Sequence, residues 1–150
     1  MGVLTDYFRA SDHDTVRTAL DHNDAMSPLM APLRWDGVEA KAVDPEVVLA
    51  QLVTAADPAA DPDDNPLVWP ATADPDHEGP WVVALDPTTR DTLAAAHDDD
   101  LPTLATHWAR IEEWNGDPTP DELLPLVTEL VQLARRARDT GDHLYCWMSL

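Results

Sequence analysis

The sequence predicts an α+β domain, because short apolar strand-like segments and amphipathic helical segments are mixed without regular alternation. The chain has 150 residues, of which 44% are apolar, and this is enough for one domain with a hydrophobic core. Six tryptophans add large side chains to that core. We therefore expect a single domain over residues 1–150, with a small mixed or antiparallel sheet packed against about five helices.

The first third of the chain predicts a strand followed by two helices. Residues 3–9 are rich in apolar and aromatic side chains and predict a strand. Ser11 predicts the N-cap of the first helix. Residues 36–37 are Asp-Gly, which is typical of a turn. Asp44 followed by Pro45 predicts the start of a second, mostly buried helix.

The middle of the chain alternates strands with acidic loops. Residues 57–66 and 70–79 are rich in Asp and Pro, so they predict solvated loops. The short apolar segment between them, residues 67–69, predicts a strand. Residues 81–85 are almost entirely apolar, which indicates a strand inside the sheet that is covered on both faces.

The last third predicts three helices and a final strand. Residues 86–87 are Asp-Pro and predict a helix start, and the acidic residues 98–100 precede a second helix. Residues 119–120, Thr-Pro, open the longest helix, and Gly141 ends it. Residues 143–150 predict a strand that is apolar on both faces and therefore lies centrally in the sheet.

The charge balance restricts the classes of partner. The chain has 29 Asp and Glu against nine Lys and Arg, a formal charge of −20. Between Lys41 and Arg90 there are ten acidic residues and no Lys or Arg. Nucleic acid backbones and anionic membranes are bound through Lys and Arg, so we expect neither as a partner. A basic protein partner, bound cations or simple solubility all fit the excess of carboxylates.

The sequence favours a cytoplasmic protein. Cys146 is the single cysteine, so no intramolecular disulfide is expected. The N-terminus lacks the basic and apolar regions of a signal peptide. There is no apolar run of 18 residues, so no membrane span is predicted.

The common catalytic and cofactor motifs do not occur in the sequence. The spacing of its five glycines matches neither a phosphate-binding loop nor a dinucleotide-binding fingerprint. None of its three serines lies in a nucleophile elbow. Cys146 lies in an apolar segment, where a thiol is usually inert. The carboxylates are so widespread that no acid–base pair can be selected. We therefore predict no catalytic residues and no cofactor, and the sequence favours a protein without enzymatic activity.

One segment partly matches a calcium loop. Residues 61–65 fit the opening pattern D-x-D-x-N, but Pro66 stands where the loop needs glycine, and Thr72 stands where it needs the closing glutamate. No pair of histidines has the spacing of zinc ligands on a helix. We therefore predict no metal site.

Four side chains are candidates for a ligand pocket. Trp35, Trp69 and Trp81 are large aromatic residues, of which Trp69 and Trp81 flank the acidic 70–79 loop, and Lys41 is the only lysine. Tryptophans in predicted elements are also expected in the core, and a lone lysine in an acidic protein is expected to pair with carboxylates. These four residues define a candidate small-molecule site, with Trp69 and Trp81 as an aromatic rim around the 70–79 loop.

Four stretches of the chain together resemble the YfbM-like family of bacterial proteins in its actinobacterial form. They are residues 1–9, 39–53, the Leu-Asp-Pro at 85–87, and the long helix that runs into residues 141–147. The resemblance lies in the order of the elements. It implies a compact α+β domain and specifies no activity and no catalytic residues.

Three functions fit these observations. The first is a protein-interaction module, of which an immunity protein is one form, that binds a basic partner through its acidic surface. The second is an enzyme or small-molecule-binding protein with a tryptophan-lined pocket. The third is a nucleic-acid mimic that competes for a DNA-binding protein, which requires carboxylates spaced like phosphates. The first is the function that we favour.

Overall fold

Five antiparallel strands form one sheet in the computed structural model, which describes residues 3–150. Met1 and Gly2, part of the first stretch of family resemblance, lie outside the described residues. The strand order is β2-β1-β5-β4-β3. This confirms the α+β prediction. The strands are β1 (Leu4–Ala10), β2 (Gly37–Glu39), β3 (Leu67–Trp69), β4 (Trp81–Ala84) and β5 (His143–Ser149).

Five α-helices pack around the sheet in the described part of the chain, as the sequence predicts. The longest one runs directly into the central strand β5. A short 3-10 turn over residues 98–100 precedes the fourth helix. The helices are α1 (His13–His22), α2 (Val48–Ala56), α3 (Pro87–Ala95), α4 (Leu101–Ala109) and α5 (Pro120–Thr140).

The sheet separates two hydrophobic clusters. The larger cluster lies between the sheet and helices α2 to α5, and Trp108 is fully buried in it. The smaller cluster lies on the other face, where Val16 and Leu20 of α1 pack against Phe8 and Tyr145. The molecule therefore has three layers, with one helix on one face and four on the other.

Strand β5 is central and covered on both faces, as predicted. Its side chains alternate: Leu144 and Cys146 enter the larger cluster, while Tyr145 enters the smaller one. It pairs with β1 along its whole length and with β4 along half of it. The continuous run of apolar and aromatic residues at positions 144–148 is explained by this two-sided burial.

The predicted N-cap of α1 is wrong by one residue. Asp12, rather than Ser11, accepts a hydrogen bond at 2.8 Å from the backbone N–H of Thr15. Both residues are good caps, and the strand β1 ends at Ala10, so the extra residue leaves room for the chain to turn.

The predicted start of α2 is wrong by three residues. Asp44 does act as a cap, because its carboxylate accepts hydrogen bonds from the N–H groups of Glu46, Val47 and Val48. Residues 45–47 nevertheless form a turn, and the helix begins only at Val48.

The turn predicted at residues 36–37 is replaced by the start of β2. Gly37 pairs with Phe8 of β1. A Cβ atom at this position would lie 2.3 Å from both the Tyr7 carbonyl oxygen and the Leu29 side chain. Glycine is therefore needed here for close packing.

Helix α5 begins and ends where the sequence predicts. Thr119 and Glu122 form a reciprocal capping box, and Gly141 ends the helix in the left-handed conformation. Pro125 is accommodated within the first turns, so the helix starts at Pro120 despite it.

The acidic segments 57–66 and 70–79 are loops, as predicted, and they flank β3, which is an edge strand. Among residues 3–150, each helix is too short or too polar to cross a lipid bilayer.

Candidate functional site

The four predicted ligand-binding residues lie in two separate places. Trp35 and Lys41 flank β2, whereas Trp69 ends β3 and Trp81 begins β4. Strands β2 and β3 are the two opposite edges of the sheet, with three strands between them. The structure therefore brings Trp69 and Trp81 together and places the other two residues at the far edge.

Trp69 and Trp81 hold His77 between them. The imidazole ring lies edge-on to both indoles, with ring centroids 5.7 Å and 5.8 Å away. The His77 Nε2 atom lies 2.8 Å from the carbonyl oxygen of Pro80, and the Trp69 indole N–H donates to Asp21 of α1 at 2.9 Å. The aromatic rim predicted around the 70–79 loop is thus filled by a side chain of the loop itself.

Lys41 lines a different cavity, which we call the sheet-end pocket. This pocket of about 300 Å³ lies beside the start of β1, on the same face of the sheet as α1. Helix α1 covers the other end of that face, near Phe8 and Tyr145, whereas Ser27 and Met30 from the segment after α1 line the pocket here. The lining residues are Leu4, Thr5, Asp6, Ser27, Met30, Glu39, Lys41 and Trp147.

Strand register builds the floor of the sheet-end pocket. Asp6 of β1 lies directly opposite Glu39 of β2 on one side and Trp147 of β5 on the other. The Trp147 indole N–H donates to the Ala25 carbonyl at 2.9 Å, which holds the ring in position. Two carboxylates and an indole ring therefore share one face of three adjacent strands.

The sheet-end pocket is lined by two acidic side chains, Asp6 and Glu39, and by the single lysine, Lys41. Burial raises the pKa of Asp6, and the nearby charge of Glu39 raises it further, while a hydrogen bond with Ser27 opposes the shift. No ion pair in residues 3–150 involves Asp6, Glu39 or Lys41. The lone lysine is therefore exposed and is not held by a carboxylate, contrary to the ordinary expectation for an acidic protein.

A second surface consists of unpaired carboxylates. We call it the acidic margin, and it comprises seven exposed side chains on the two loops that flank β3. In the part of the chain that the structure describes, none of them forms an ion pair. They are Asp57, Asp61, Asp63, Asp64, Asp74, Asp76 and Glu78.

A contrasting cluster of paired charges, the paired corner, joins β1, the segment before β2 and the end of α5. Asp36 accepts two hydrogen bonds from Arg136, at 2.7 Å and 2.9 Å, and one from Arg9 at 2.7 Å. Arg9 also contacts Asp142 at 2.6 Å. The hydrogen bonds from Arg136, supported by Arg9, lower the pKa of Asp36.

His13, Tyr145 and His143 form an aromatic cluster where α1 begins. The Nδ1 atom of His13 lies 2.8 Å from the Tyr145 hydroxyl, and the two histidine rings are 6.0 Å apart between centroids. Burial lowers the pKa of His13, and Arg17 and His143 lower it further. Burial raises the pKa of Tyr145 to about 12, so this phenol is a poor base near neutral pH.

Cys146 has the inert surroundings that its sequence position indicates. The side chain is fully buried in the larger hydrophobic cluster, and burial raises the pKa of the thiol. The neighbouring Tyr7 hydroxyl donates a hydrogen bond to the Val43 carbonyl. A buried, neutral thiol is a poor nucleophile.

The segment that resembles a calcium loop is used for structure. The Asn65 amide donates to Glu46 at 3.1 Å, and its carbonyl oxygen accepts from the Asp86 backbone N–H at 3.1 Å. Among residues 3–150, no three His, Cys, Asp or Glu side chains converge in a way that could hold a metal ion.

Comparison of the chain with models of protein families, with curated proteins and with solved structures finds no match. The resemblance to the YfbM-like family therefore stays a prediction, and the function must be argued from the surfaces described above.

Proposed function

We propose that this protein is a protein-interaction module that binds a basic partner through the acidic margin. The observation that carries this proposal is that none of these seven carboxylates forms an ion pair within residues 3–150. The chain does have arginines, but it uses them elsewhere, most notably in the paired corner. A partner that supplies Lys or Arg would neutralise the margin.

The position of the margin supports this proposal. Its two loops flank the edge strand β3, so the carboxylates surround the border of the sheet. The Val68 carbonyl on that strand accepts a hydrogen bond from Arg17 at 3.1 Å, which limits the backbone available for adding another strand. Recognition there therefore depends mainly on side-chain charge. Charge of this kind accelerates association and makes it strongly dependent on salt.

Within this proposal, an immunity protein is one form that the module can take, because inhibitors of basic enzymes need a surface of opposite charge. The cytoplasm is the compartment that we expect, because a chain with one cysteine does not depend on an intramolecular disulfide. The same surface gives no reason to expect binding to nucleic acid or to anionic membranes, which would be repelled by the margin.

The proposal is tested by capture from native lysate with three forms of the protein. The first is the wild type, and the second carries Asp61→Asn, Asp63→Asn and Asp64→Asn in the margin. The third is a matched control with the same loss of charge at exposed sites outside the margin: Asp99→Asn, Asp100→Asn and Asp117→Asn.

We expect a basic protein to be retained by the wild type and the control at low salt, and to be lost from the margin variant. The association rate, measured with the identified partner, should fall as salt is raised. Equal retention by all three forms, or a partner that is itself acidic, would contradict the proposal.

A further inference from the structure

We propose that the sheet-end pocket binds an organic cation: an alkylguanidinium or alkylammonium group inserts between Asp6 and Glu39, and its alkyl arm lies against the apolar rim. This site lies at the β2 side of the sheet, away from the acidic margin, and does not depend on it.

The two carboxylates face each other across neighbouring strands. Asp6 and Glu39 are direct partners in the ladder between β1 and β2. Like charges at directly opposite positions destabilise a sheet. No described Lys or Arg forms an ion pair with either of them. A bound cation would contact both carboxylates at once and remove their repulsion.

Aromatic and apolar side chains also line the pocket, independently of the two carboxylates. Trp147 lies opposite Asp6 on β5, and its indole is fixed by the hydrogen bond to Ala25. An indole face is the best aromatic partner for a cation. The side chains of Leu4 and Met30, which are 45% and 50% exposed, provide apolar surface for an alkyl arm. The wall therefore selects an organic cation over a bare metal ion.

Ser27 is 1% exposed and lines the pocket. Its hydroxyl oxygen accepts the Leu29 backbone N–H at 3.3 Å and its hydrogen bond to Asp6 favours the charged carboxylate. Burial nevertheless raises the pKa of Asp6, so the carboxyl is less readily charged than an ordinary aspartate, and a bound cation would favour its charged form.

Lys41 discriminates this proposal from binding of an anion. The lysine lines the same pocket and is exposed. If the ligand is a cation, the ammonium group of Lys41 competes with it for the carboxylates. If the ligand is an anion, Lys41 is instead the group that binds it. The two cases predict opposite effects of Lys41→Ala.

In the experiment, the whole protein is titrated with butylguanidine at pH 7. Binding is measured by calorimetry and by the NMR signal of the Trp147 indole N–H. The neutral probe butylurea is the control for shape. We expect butylguanidine to bind in the millimolar range and to shift the indole signal, and butylurea to bind at least tenfold more weakly (about 1.4 kcal/mol).

The variants Asp6→Asn and Glu39→Gln should each lower the affinity for butylguanidine by about tenfold, and Lys41→Ala should leave this affinity unchanged or raise it. Asp61→Asn in the margin, which removes the same charge outside the pocket, should have little effect. Equal binding of the neutral probe, loss of binding in Lys41→Ala, or unchanged binding in both carboxylate variants would overturn the proposal. If Asp6→Asn does not fold, the indole signal of the wild type and the titration of Glu39→Gln still test whether a cation binds in the pocket.

Two further arms identify the source of the cation. A blocked Gly-Arg-Gly peptide that binds at least as tightly as butylguanidine indicates an arginine side chain of a protein partner. A peptide that fails to bind while butylguanidine binds indicates a free guanidine or amine. Both results support a cation site and assign its ligand.

Discussion

The paired corner and the acidic margin use the same residue type in opposite ways. In the paired corner, Asp36 receives three hydrogen bonds from two arginines and ties together β1, the segment before β2 and α5. In the margin, seven carboxylates on the loops around β3 form no ion pair within the described chain. The net charge of −20 is therefore distributed unevenly, because some acidic residues are paired with arginine and others are not. Some of these carboxylates stabilise the fold, and others only repel one another.

The largest expected effect is the loss of Asp36. Asp36→Asn removes the charge that holds both Arg9 and Arg136, so we expect the free energy of unfolding to fall by about 1–2 kcal/mol. The value is limited by the partial exposure of the site, which weakens each ion pair. Urea denaturation of the wild type and the variant measures the difference. A change below about 0.5 kcal/mol would mean that the corner does not stabilise the fold.

The next effect is the acid dependence of the paired corner. Because the pKa of Asp36 is lowered in the folded state, its contribution is fully present above the ordinary aspartate pKa of about 3.9 and is lost as the pH falls below it. The wild type should therefore lose stability more steeply than Asp36→Asn as the pH is lowered from about 5 to about 3. Parallel curves for the two proteins would show that the carboxylate titrates alike in the folded and unfolded chain.

Salt should act mainly on the margin. Raising sodium chloride from about 0.15 M to about 1 M shortens the screening length from roughly 8 Å to about 3 Å, which weakens repulsion between neighbouring carboxylates. We expect the melting temperature to rise. In the triple variant Asp61→Asn, Asp63→Asn and Asp64→Asn the rise should be smaller. A flat or falling curve for the wild type would mean that these carboxylates are already neutralised.

The smallest expected effect is a single neutralisation in the margin. Asp64→Asn should change the free energy of unfolding by less than about 0.5 kcal/mol, because its side chain is exposed and unpaired. The same urea series used for Asp36→Asn measures it. A loss as large as that of Asp36→Asn would remove the distinction between the two regions.

The sequence predicted the elements whose signals are local. The cap and proline at residues 119–120, together with Gly141, predict the bounds of α5, because each acts on its own turn of helix. The caps of α1 and α2 were placed less accurately, since Ser11 and Asp12 are equally suitable and Asp44 can cap a turn as well as a helix. These errors arise where two local solutions have similar energy.

The sheet-end pocket could not be predicted, because its residues are brought together by strand register. Asp6, Glu39 and Trp147 are far apart in sequence, and only the order β2-β1-β5 makes them neighbours. Of the predicted ligand residues, Lys41 lies in this pocket and Trp35 does not line it. Trp69 and Trp81 are predicted as ligand residues from their size and position alone. Their contacts with His77 depend on the path of the 70–79 loop, which the sequence does not specify. A pair of acidic residues on predicted neighbouring strands is the only local signal that could have indicated the site.

The position of β5 has a consequence for synthesis. The antiparallel partners β1 and β2, and likewise β3 and β4, precede β5 in the chain, but neither pair touches the other in the finished sheet. Both pairs are joined only by residues 143–149, which are translated after every other element and whose pairing with β1 spans more than a hundred positions of the chain. Until β5 is available, the edges of β1 and β4 that face it in the finished sheet have no partner strand, so neither strand pair can become part of a single sheet.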